Sequence, residues 1–290
     1  MPASSHARHR FYLLAAALLF STGGAAIKAA SLNSWQVAGS RSLVAAAALL
    51  LLFPAARRGW NWRVVPAGTA YASTMVLFVL ANKLTTSANA IFLQSTAPLY
   101  LLLLGPWLLK ERIRRSDFVF LLAVSLGMAM FFAGTEGALP TAPDPRMGNL
   151  VAAASGVAWA LTIAGLRWVS RGQSGESSMP TVVAGNLIAF LICLPFGLPV
   201  MNAGWNDLLV ALYLGLFQIG LAYICLTRGL RHVPAFEASA LLLVEPGLNP
   251  IWAWLVHAER PGAWALTGGS VIILSNVVNS WWQSRTPRHV

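Results

Sequence analysis

Apolar stretches about 20 residues long follow one another along almost the whole chain, and short connections rich in Pro, Gly, Asn or charge separate them. A helix needs about 20 mostly apolar residues to cross the roughly 30 Å hydrocarbon core of a bilayer. Only 10% of the residues are charged, against about 25% in a soluble protein. The mean hydropathy is +0.65. The sequence therefore predicts an all-α integral membrane protein.

Ten such stretches are present, which predicts ten transmembrane helices. Helices are expected rather than an open sheet, because the bilayer offers no water to a free backbone amide. The first stretch follows Arg8 and Arg10 as a signal peptide would, but it continues to Lys28, which favours a retained helix. The expected spans are residues 10–30, 35–54, 64–83, 87–109, 117–135, 147–169, 178–200, 206–227, 234–257 and 262–283.

The basic residues lie between the apolar stretches and give the chain a net charge of +11. If the N-terminus is inside the cell, most of the 20 Lys and Arg fall on the cytoplasmic side, as the positive-inside rule requires. Both termini are then cytoplasmic, and the protein lies in the inner (plasma) membrane. Because these charges do not form a soluble basic face, nucleic-acid binding is not expected.

The two halves of the chain resemble each other. Residues 87–112 align without a gap with residues 235–260, which places Pro98 over Pro246. Five helices per half is an odd number, so the halves are predicted to enter the membrane from opposite sides. Two inverted repeats are typical of secondary transporters, which hold substrate near the bilayer midplane. The predicted repeats are residues 11–135 and 147–283.

The ends of the aligned segments, LLKER at residues 108–112 and VHAER at residues 256–260, resemble the EamA repeats of the drug/metabolite transporter superfamily. Glu245-Pro246 and Arg41, inside apolar stretches, are similar to what this family commonly carries. The resemblance implies a ten-helix exporter of small metabolites, amino acids or drug-like amphiphiles in a bacterial inner membrane. It also implies a central cavity lined by both halves.

One departure from the family concerns the first helix of each repeat. Phe20 stands where the first repeat of the family usually has Trp, whereas Trp159 keeps the aromatic residue expected in the second repeat. Members of the family differ widely in substrate, so the resemblance implies a small-molecule substrate without naming one.

Two charged residues lie well inside apolar stretches, where a charge costs about 2.5–3.5 kcal/mol and is expected to face a cavity or a partner. Glu245, near the middle of the ninth stretch, either binds a substrate amine or a proton, or forms a structural ion pair or a hydrogen bond between helices. Arg41, about 9 Å from the outer end of its helix, either binds a carboxylate, pairs with Glu245, snorkels to the outer interface or caps helix carbonyls. For Lys28, snorkelling is the favoured interpretation.

Pro98, Pro246 and Pro250 are predicted to break the fourth and ninth helices, since each removes an amide donor and frees a carbonyl four residues earlier. Free backbone at this depth is tolerated where it lines a cavity, and a packing kink is the alternative. Asn186 and Gln218 are further polar candidates. With Glu245 and Arg41, the residues predicted to bind substrate are Gln94, Asn89, Trp159, Tyr100 and Asn249. Ordinary packing and hydrogen bonds between helices are the alternative for these five side chains.

The sequence also separates classes of function. It contains no nucleotide-binding loop of the Gly-x-x-x-x-Gly-Lys-Ser/Thr type, so transport is expected to use a gradient, with proton coupling. The five His are scattered, and Cys193 and Cys225 form no metal spacing, so no enzyme, cofactor or metal site is expected. The predicted function is a secondary active exporter, as a monomer or homodimer. The alternative is a passive facilitator or channel for small polar solutes.

Overall fold

The computed structural model describes residues 3–108, 115–134, 137–171, 178–200, 203–230, 233 and 241–285. Helices dominate this part of the chain, which contains no β-strand beyond an isolated bridge between Leu139 and Ala142. Seven of its helical stretches are long and apolar enough to cross a membrane, and three of these, Ala7–Ala29, Ser87–Leu104 and Trp205–Gly229, are each divided into shorter elements below. Two shorter apolar stretches, Asp117–Ala133 and Ala263–Asn279, accompany them. The chain is therefore an all-α, multi-pass membrane protein, as the composition predicted.

The helices are labelled here in chain order. Those of the first half are α1 (Ala3–Ser21), α2 (Gly23–Ala29), α3 (Ser34–Leu52), α4 (Val64–Leu84), α5 (Ser87–Gln94), α6 (Ala97–Leu108) and α7 (Arg115–Ala133). Those of the second half are α8 (Pro145–Arg171), α9 (Met179–Gly197), α10 (Trp205–Tyr213), α11 (Ala222–Leu230), α12 (Val244–His257) and α13 (Ala263–Arg285). A π-helical stretch, Leu214–Leu221, joins α10 to α11.

The predicted spans differ from the observed helices chiefly where a helix is interrupted. The span predicted at 10–30 is divided between α1 and α2, and the span at 87–109 between α5 and α6. The beginning of the span predicted at 234–257 lies outside the described residues, as do Glu111 and Arg112 of the first repeated motif.

Polar side chains at the helix ends fix where several helices begin. Asn33 and Gln36 form a reciprocal capping box before α3, because each side chain accepts a hydrogen bond from the other residue's backbone amide. The hydroxyl of Thr86 accepts from the amide of Asn89 and so caps α5. These caps satisfy amides that have no partner within their own helix.

The outer surface of the bundle is apolar, as a protein in contact with lipid requires. On α7 the side chains of Phe118, Val119, Leu122 and Leu126 are each at least 60% exposed. Their spacing places them on one side of the helix. The opposite side carries Gly127, where an added Cβ would lie 3.0 Å from the backbone oxygen of Gly268 on α13. A glycine therefore permits α7 and α13 to approach closely.

Helices of the two halves are packed against each other throughout the bundle. α4 contacts α8 and α9, α3 contacts α9, α1 contacts α11, and α7 contacts α13. The interior is therefore formed jointly by the two halves, and the interrupted helices lie within it.

Candidate functional site

Three helical segments are interrupted within the bundle, and a fourth changes its winding. The interruptions are at Thr22 between α1 and α2, at Ser95-Thr96 between α5 and α6, and at Leu243 before α12. The π-helical stretch between α10 and α11 is the fourth irregularity. Backbone amides and carbonyls that such irregularities leave without helical partners must bond to other protein groups or face a cavity, because lipid offers them no hydrogen bonds.

Two of the three predicted helix-breaking prolines lie at these interruptions. Pro98 and Pro246 are in the first turns of α6 and α12, where the missing amide has no helical partner to lose. Pro250 does not break the helix as predicted, because α12 continues through it. The break before α6 is stabilised from α13, since Asn276 Nδ2 donates to the backbone oxygen of Ser95 at 3.1 Å.

A cavity of about 440 Å³ lies where the four irregular segments meet. This volume falls within the range of about 300–1,000 Å³ that is typical of small-molecule sites. Apolar and aromatic side chains form most of its wall, and a few polar groups interrupt them. The predicted site residues that line it are Glu245, Arg41, Gln94, Trp159, Pro98 and Pro246.

Glu245 provides the carboxylate of the cavity. It lies in the first turn of α12, where the positive end of the helix dipole favours a negative charge, and its side chain is partly exposed. Within the described part of the chain, its carboxylate makes no hydrogen bond and no ion pair. A carboxylate in this position can accept a proton or bind an amine.

Arg41 provides a positive charge to the same cavity. It is 1% exposed on α3, and its Nη2 donates to the backbone oxygen of Met75 at 2.9 Å. Its Nε has no partner among the described residues. Arg41 thus neither snorkels to the interface nor forms an ion pair with Glu245. Free donors on a planar guanidinium suit a carboxylate.

Aromatic rings accompany the two charged side chains. Tyr223 lines the same cavity as Arg41 and Glu245. Its ring contacts those of Phe20 and Tyr71 edge-on, with centroids 5.2 and 5.3 Å apart. The cavity therefore offers an aromatic surface beside the two charges.

Three of the residues predicted to bind substrate do not line the cavity, and neither does Pro250. Asn89 Nδ2 donates to Asn149 Oδ1 at 3.1 Å and joins a polar cluster between α5 and α8. The hydroxyl of Tyr100 lies 3.9 Å from Met128 Sδ, on the side of α6 that faces α7. Asn249 is fully buried against α2. The structure therefore places Asn89 and Tyr100 in packing between helices.

The cavity also contains polar residues that the sequence reasoning did not select. Asn276 and Asn279 of α13 line it, and their spacing of three residues within an apolar stretch was the available signal. Thr74 and Ser95 line it as well. Their hydroxyls bond to backbone oxygens of their own helices, an arrangement that occurs throughout membrane helices and carries no signal for a site.

Away from the cavity, α2 carries a buried ion pair. Lys28 Nζ lies 2.9 Å from Glu259 Oε2, and the two side chains are 3% and 1% exposed. Lys28 also donates to the backbone oxygens of Thr85 and Thr141. Glu259 Oε1 accepts from the amide of Ser87 at 2.6 Å. The interpretation of Lys28 as a snorkelling residue is therefore wrong.

Residues 9–133 and 146–281 both match the model of the EamA-like transporter family. The chain belongs to this family. This EamA-like protein is 26% identical over 277 residues to the pseudopaline exporter CntI of Pseudomonas aeruginosa, covering 91% of this chain and 93% of the exporter. It is 22% identical over 214 residues to an uncharacterized transporter of Clostridium kluyveri, covering 72% and 68% of the two chains.

The fold of this EamA-like protein is also similar to that of a protein of known crystal structure. The TM-score is 0.64 at 20% identity, over 96% of this chain and 98% of that one. The family resemblance that the repeated motifs suggested is thus confirmed, and the protein is a membrane transporter.

Proposed function

We propose that this EamA-like protein is a secondary active exporter of small zwitterionic metabolites of the amino-acid type. The observation that carries the proposal is the presence in one cavity of a carboxylate, Glu245, and a guanidinium, Arg41, that are not paired with each other. A zwitterionic substrate would neutralise both groups at once. The adjoining rings, including Phe20 and Trp159, would contact its apolar portion.

The proposed architecture has ten transmembrane helices in two inverted repeats, residues 11–135 and 147–283. The helix contacts support this architecture. A contact between one helix of the first half and one of the second has a counterpart between the equivalent helices, with the two halves interchanged. α4 packs on α8 as α11 packs on α1, and α4 packs on α9 as the π-helical stretch packs on α3. Likewise α5 and α6 contact α8, and α12 contacts α1.

The positions of aligned residues support a substrate site between the repeats. Pro98 and Pro246 each begin a helix beside the cavity. Phe20 and Trp159, from the first helix of each repeat, also line it. In a transporter of this kind the two halves would rock about the site and expose it alternately.

Direction, orientation and energy source are part of the proposal. Export follows the direction that the name of the Pseudomonas aeruginosa relative gives. Both termini are proposed to be cytoplasmic, which the distribution of basic residues supports, and the chain is proposed to lie in the inner membrane. Proton coupling is assigned to Glu245, because carboxylates within membrane segments commonly bind protons in carriers.

Flux through proteoliposomes under an imposed pH gradient tests the coupling. Glu245→Gln is expected to abolish gradient-dependent flux, because an amide cannot exchange a proton. Asp144→Asn is the matched control, since Asp144 is an exposed carboxylate that accepts from the amide of Met147 at the start of α8. Unchanged gradient dependence in Glu245→Gln would instead favour the alternative, a passive facilitator.

Substrate recognition is tested by Arg41→Ala. This change is expected to abolish transport of substrates that carry a carboxylate and to leave the protein folded. Arg63→Ala is the control, because the guanidinium of Arg63 lies near the rings of Trp62 and Trp168, 5.9 and 5.2 Å from their centroids, and does not line the cavity. Unchanged transport kinetics would remove Arg41 from the site.

A further inference from the structure

Buried polar groups without partners lie between the cavity and the Lys28–Glu259 ion pair. Ser87 and Asn249 are both fully buried. Among the described residues, no partner is found for the Ser87 hydroxyl or for either polar atom of the Asn249 amide. The two side chains face the same point on α2, because a Cβ added to Gly24 would lie 2.8 Å from each of their oxygens.

The same line of polar groups begins at the cavity. Gln218 lines the cavity and packs on α2 at Gly23, where an added Cβ would lie 2.8 Å from its Nε2. Its Oε1 also lacks a partner within the described residues. At the other end, about one turn beyond Gly24, Lys28 meets Glu259. We call Gln218, Ser87, Asn249, Lys28 and Glu259 the polar seam.

An unpartnered polar group in a dry interior loses its bonds to water and gains nothing in exchange, so such groups are rare in stable structures. Among the described residues, the polar seam contains two side chains of this kind, Ser87 and Asn249, which face α2 next to each other, and Gln218 continues the line to the cavity. Apolar side chains would seal this region with less cost. The presence of polar side chains in this region is explained if water reaches the seam in another state of the protein.

The helix that covers the seam is a short, separate segment. α2 has seven residues and begins directly after the break at Thr22. Several of its bonds to neighbouring helices are single contacts from side chains to backbone oxygens. His257 bonds to Ala25, Asn206 to Ala29 and Lys83 to Ala30 at the end of α2.

We propose that the polar seam is the closed exit passage for substrate, sealed by the Lys28–Glu259 pair. When this pair separates and α2 moves away, Ser87, Asn249 and Lys28 become hydrated and bind the polar end of the departing zwitterion. The nature of that substrate and the direction of its movement rest on the proposed function, whereas the existence of the passage does not. α12 connects the two sites, since it carries Glu245 in its first turn and ends just before Glu259.

Thiol accessibility tests the passage. In a chain with Cys193→Ala and Cys225→Ala, Ser87→Cys places a thiol of similar size in the seam. Ser42→Cys is the matched control, because Ser42 on α3 is equally buried, its hydroxyl is also unpartnered among the described residues, and it does not line the cavity. A membrane-impermeant methanethiosulfonate is added to sealed vesicles of each orientation.

The comparison is made with the ion pair intact and with Lys28→Met/Glu259→Gln, which removes both charges together. The expected result is modification of Ser87→Cys at least about tenfold faster when the pair is absent, from one side of the membrane only. The Ser42→Cys rate should not change. An unreactive Ser87→Cys in both backgrounds, or equal acceleration of the two thiols, would overturn the passage.

A second variant keeps the test decisive if the charge-free pair does not fold. Asn249→Leu replaces the unpartnered amide by an apolar group, so it should raise the unfolding temperature and slow substrate flux at least about tenfold by favouring the sealed state. Unaltered flux in Asn249→Leu would contradict the passage.

The two proposals fail separately. Flux that depends on Arg41 and Glu245 without any exposure of Ser87→Cys removes the passage alone. Selective exposure of Ser87→Cys without transport of any zwitterion supports the passage and removes the proposed substrate class.

Discussion

At the end of α2 a lysine and a glutamate lie in contact, whereas in the cavity an arginine and a glutamate share one space without pairing. Lys28 and Glu259 are 2.9 Å apart, and backbone groups complete their bonds. Arg41 and Glu245 form no such pair, and the Nε of Arg41 has no partner within the described part of the chain. The difference indicates separate roles. A paired buried charge holds helices together, whereas an unpaired charge beside a cavity is available to a ligand.

The largest expected effect on stability comes from removing one charge of the Lys28–Glu259 ion pair. Lys28→Met leaves the Glu259 carboxylate buried without its cation, and this should lower the free energy of unfolding by about 3–5 kcal/mol. Chemical unfolding in detergent micelles measures the change.

The double variant Lys28→Met/Glu259→Gln is the control for that measurement. Its amide oxygen can still accept from the amide of Ser87, and no unpaired charge remains, so most of the lost stability should return. A double variant as unstable as Lys28→Met would mean that the charge interaction is not what holds α2.

The next effect concerns how closely α2 approaches its neighbours. Gly24→Ala would place a methyl group against Asn249 and Ser87, and such overpacking should cost about 1–3 kcal/mol. Gly247→Ala on α12 is the matched control, because nothing lies within 4 Å of the added atom. That change should stabilise the helix by up to about 1 kcal/mol. Equal effects of the two substitutions would mean that α2 is not tightly packed there.

Removing the charge of Glu245 from the cavity should not lower the free energy of unfolding, whereas removing one charge of the Lys28–Glu259 ion pair should. Glu245→Gln removes a charge at the cavity wall that has no partner among the described residues, so the free energy of unfolding should stay constant or rise by about 1 kcal/mol while coupled transport is lost. A loss of several kcal/mol would show that Glu245 has a structural partner and would make the two regions alike.

Much of this organisation can be predicted from one sequence, because some features cost enough free energy that only a particular environment can accommodate them. The apolar stretches require a membrane, and the isolated charges of Glu245 and Arg41 require a cavity or a partner. Pro98 and Pro246 indicated where helices would be interrupted. The break at Thr22 has no proline and was not predicted, whereas Pro250 is accommodated inside α12.

The remaining features depend on which helices are neighbours and how each is rotated. Lys28 and Glu259 are far apart in sequence, so nothing in either local pattern identifies the pair. Asn89 and Tyr100 lie on suitable helices, but their side chains point to α8 and α7 instead of the cavity. A single sequence gives the period of a helix but not which side faces a site when the surrounding residues are all apolar.

The smallest expected effect on stability concerns a polar group of the cavity wall that already has a partner, and it tests whether such groups are structural. Thr74 lines the cavity, but its hydroxyl is already bonded to that of Thr162 on α8 at 2.9 Å. If partnered groups are structural, Thr74→Val should lower the free energy of unfolding by only about 0.6 kcal/mol, the average for a hydrogen bond between membrane helices. Transport should be unchanged, although the substituted side chain borders the substrate. Thr162→Val removes the same bond from the side away from the cavity and should match it in both measurements. A raised KM in Thr74→Val alone would show that this hydroxyl exchanges its partner for substrate, and that having a partner in the closed protein does not exclude a group from binding.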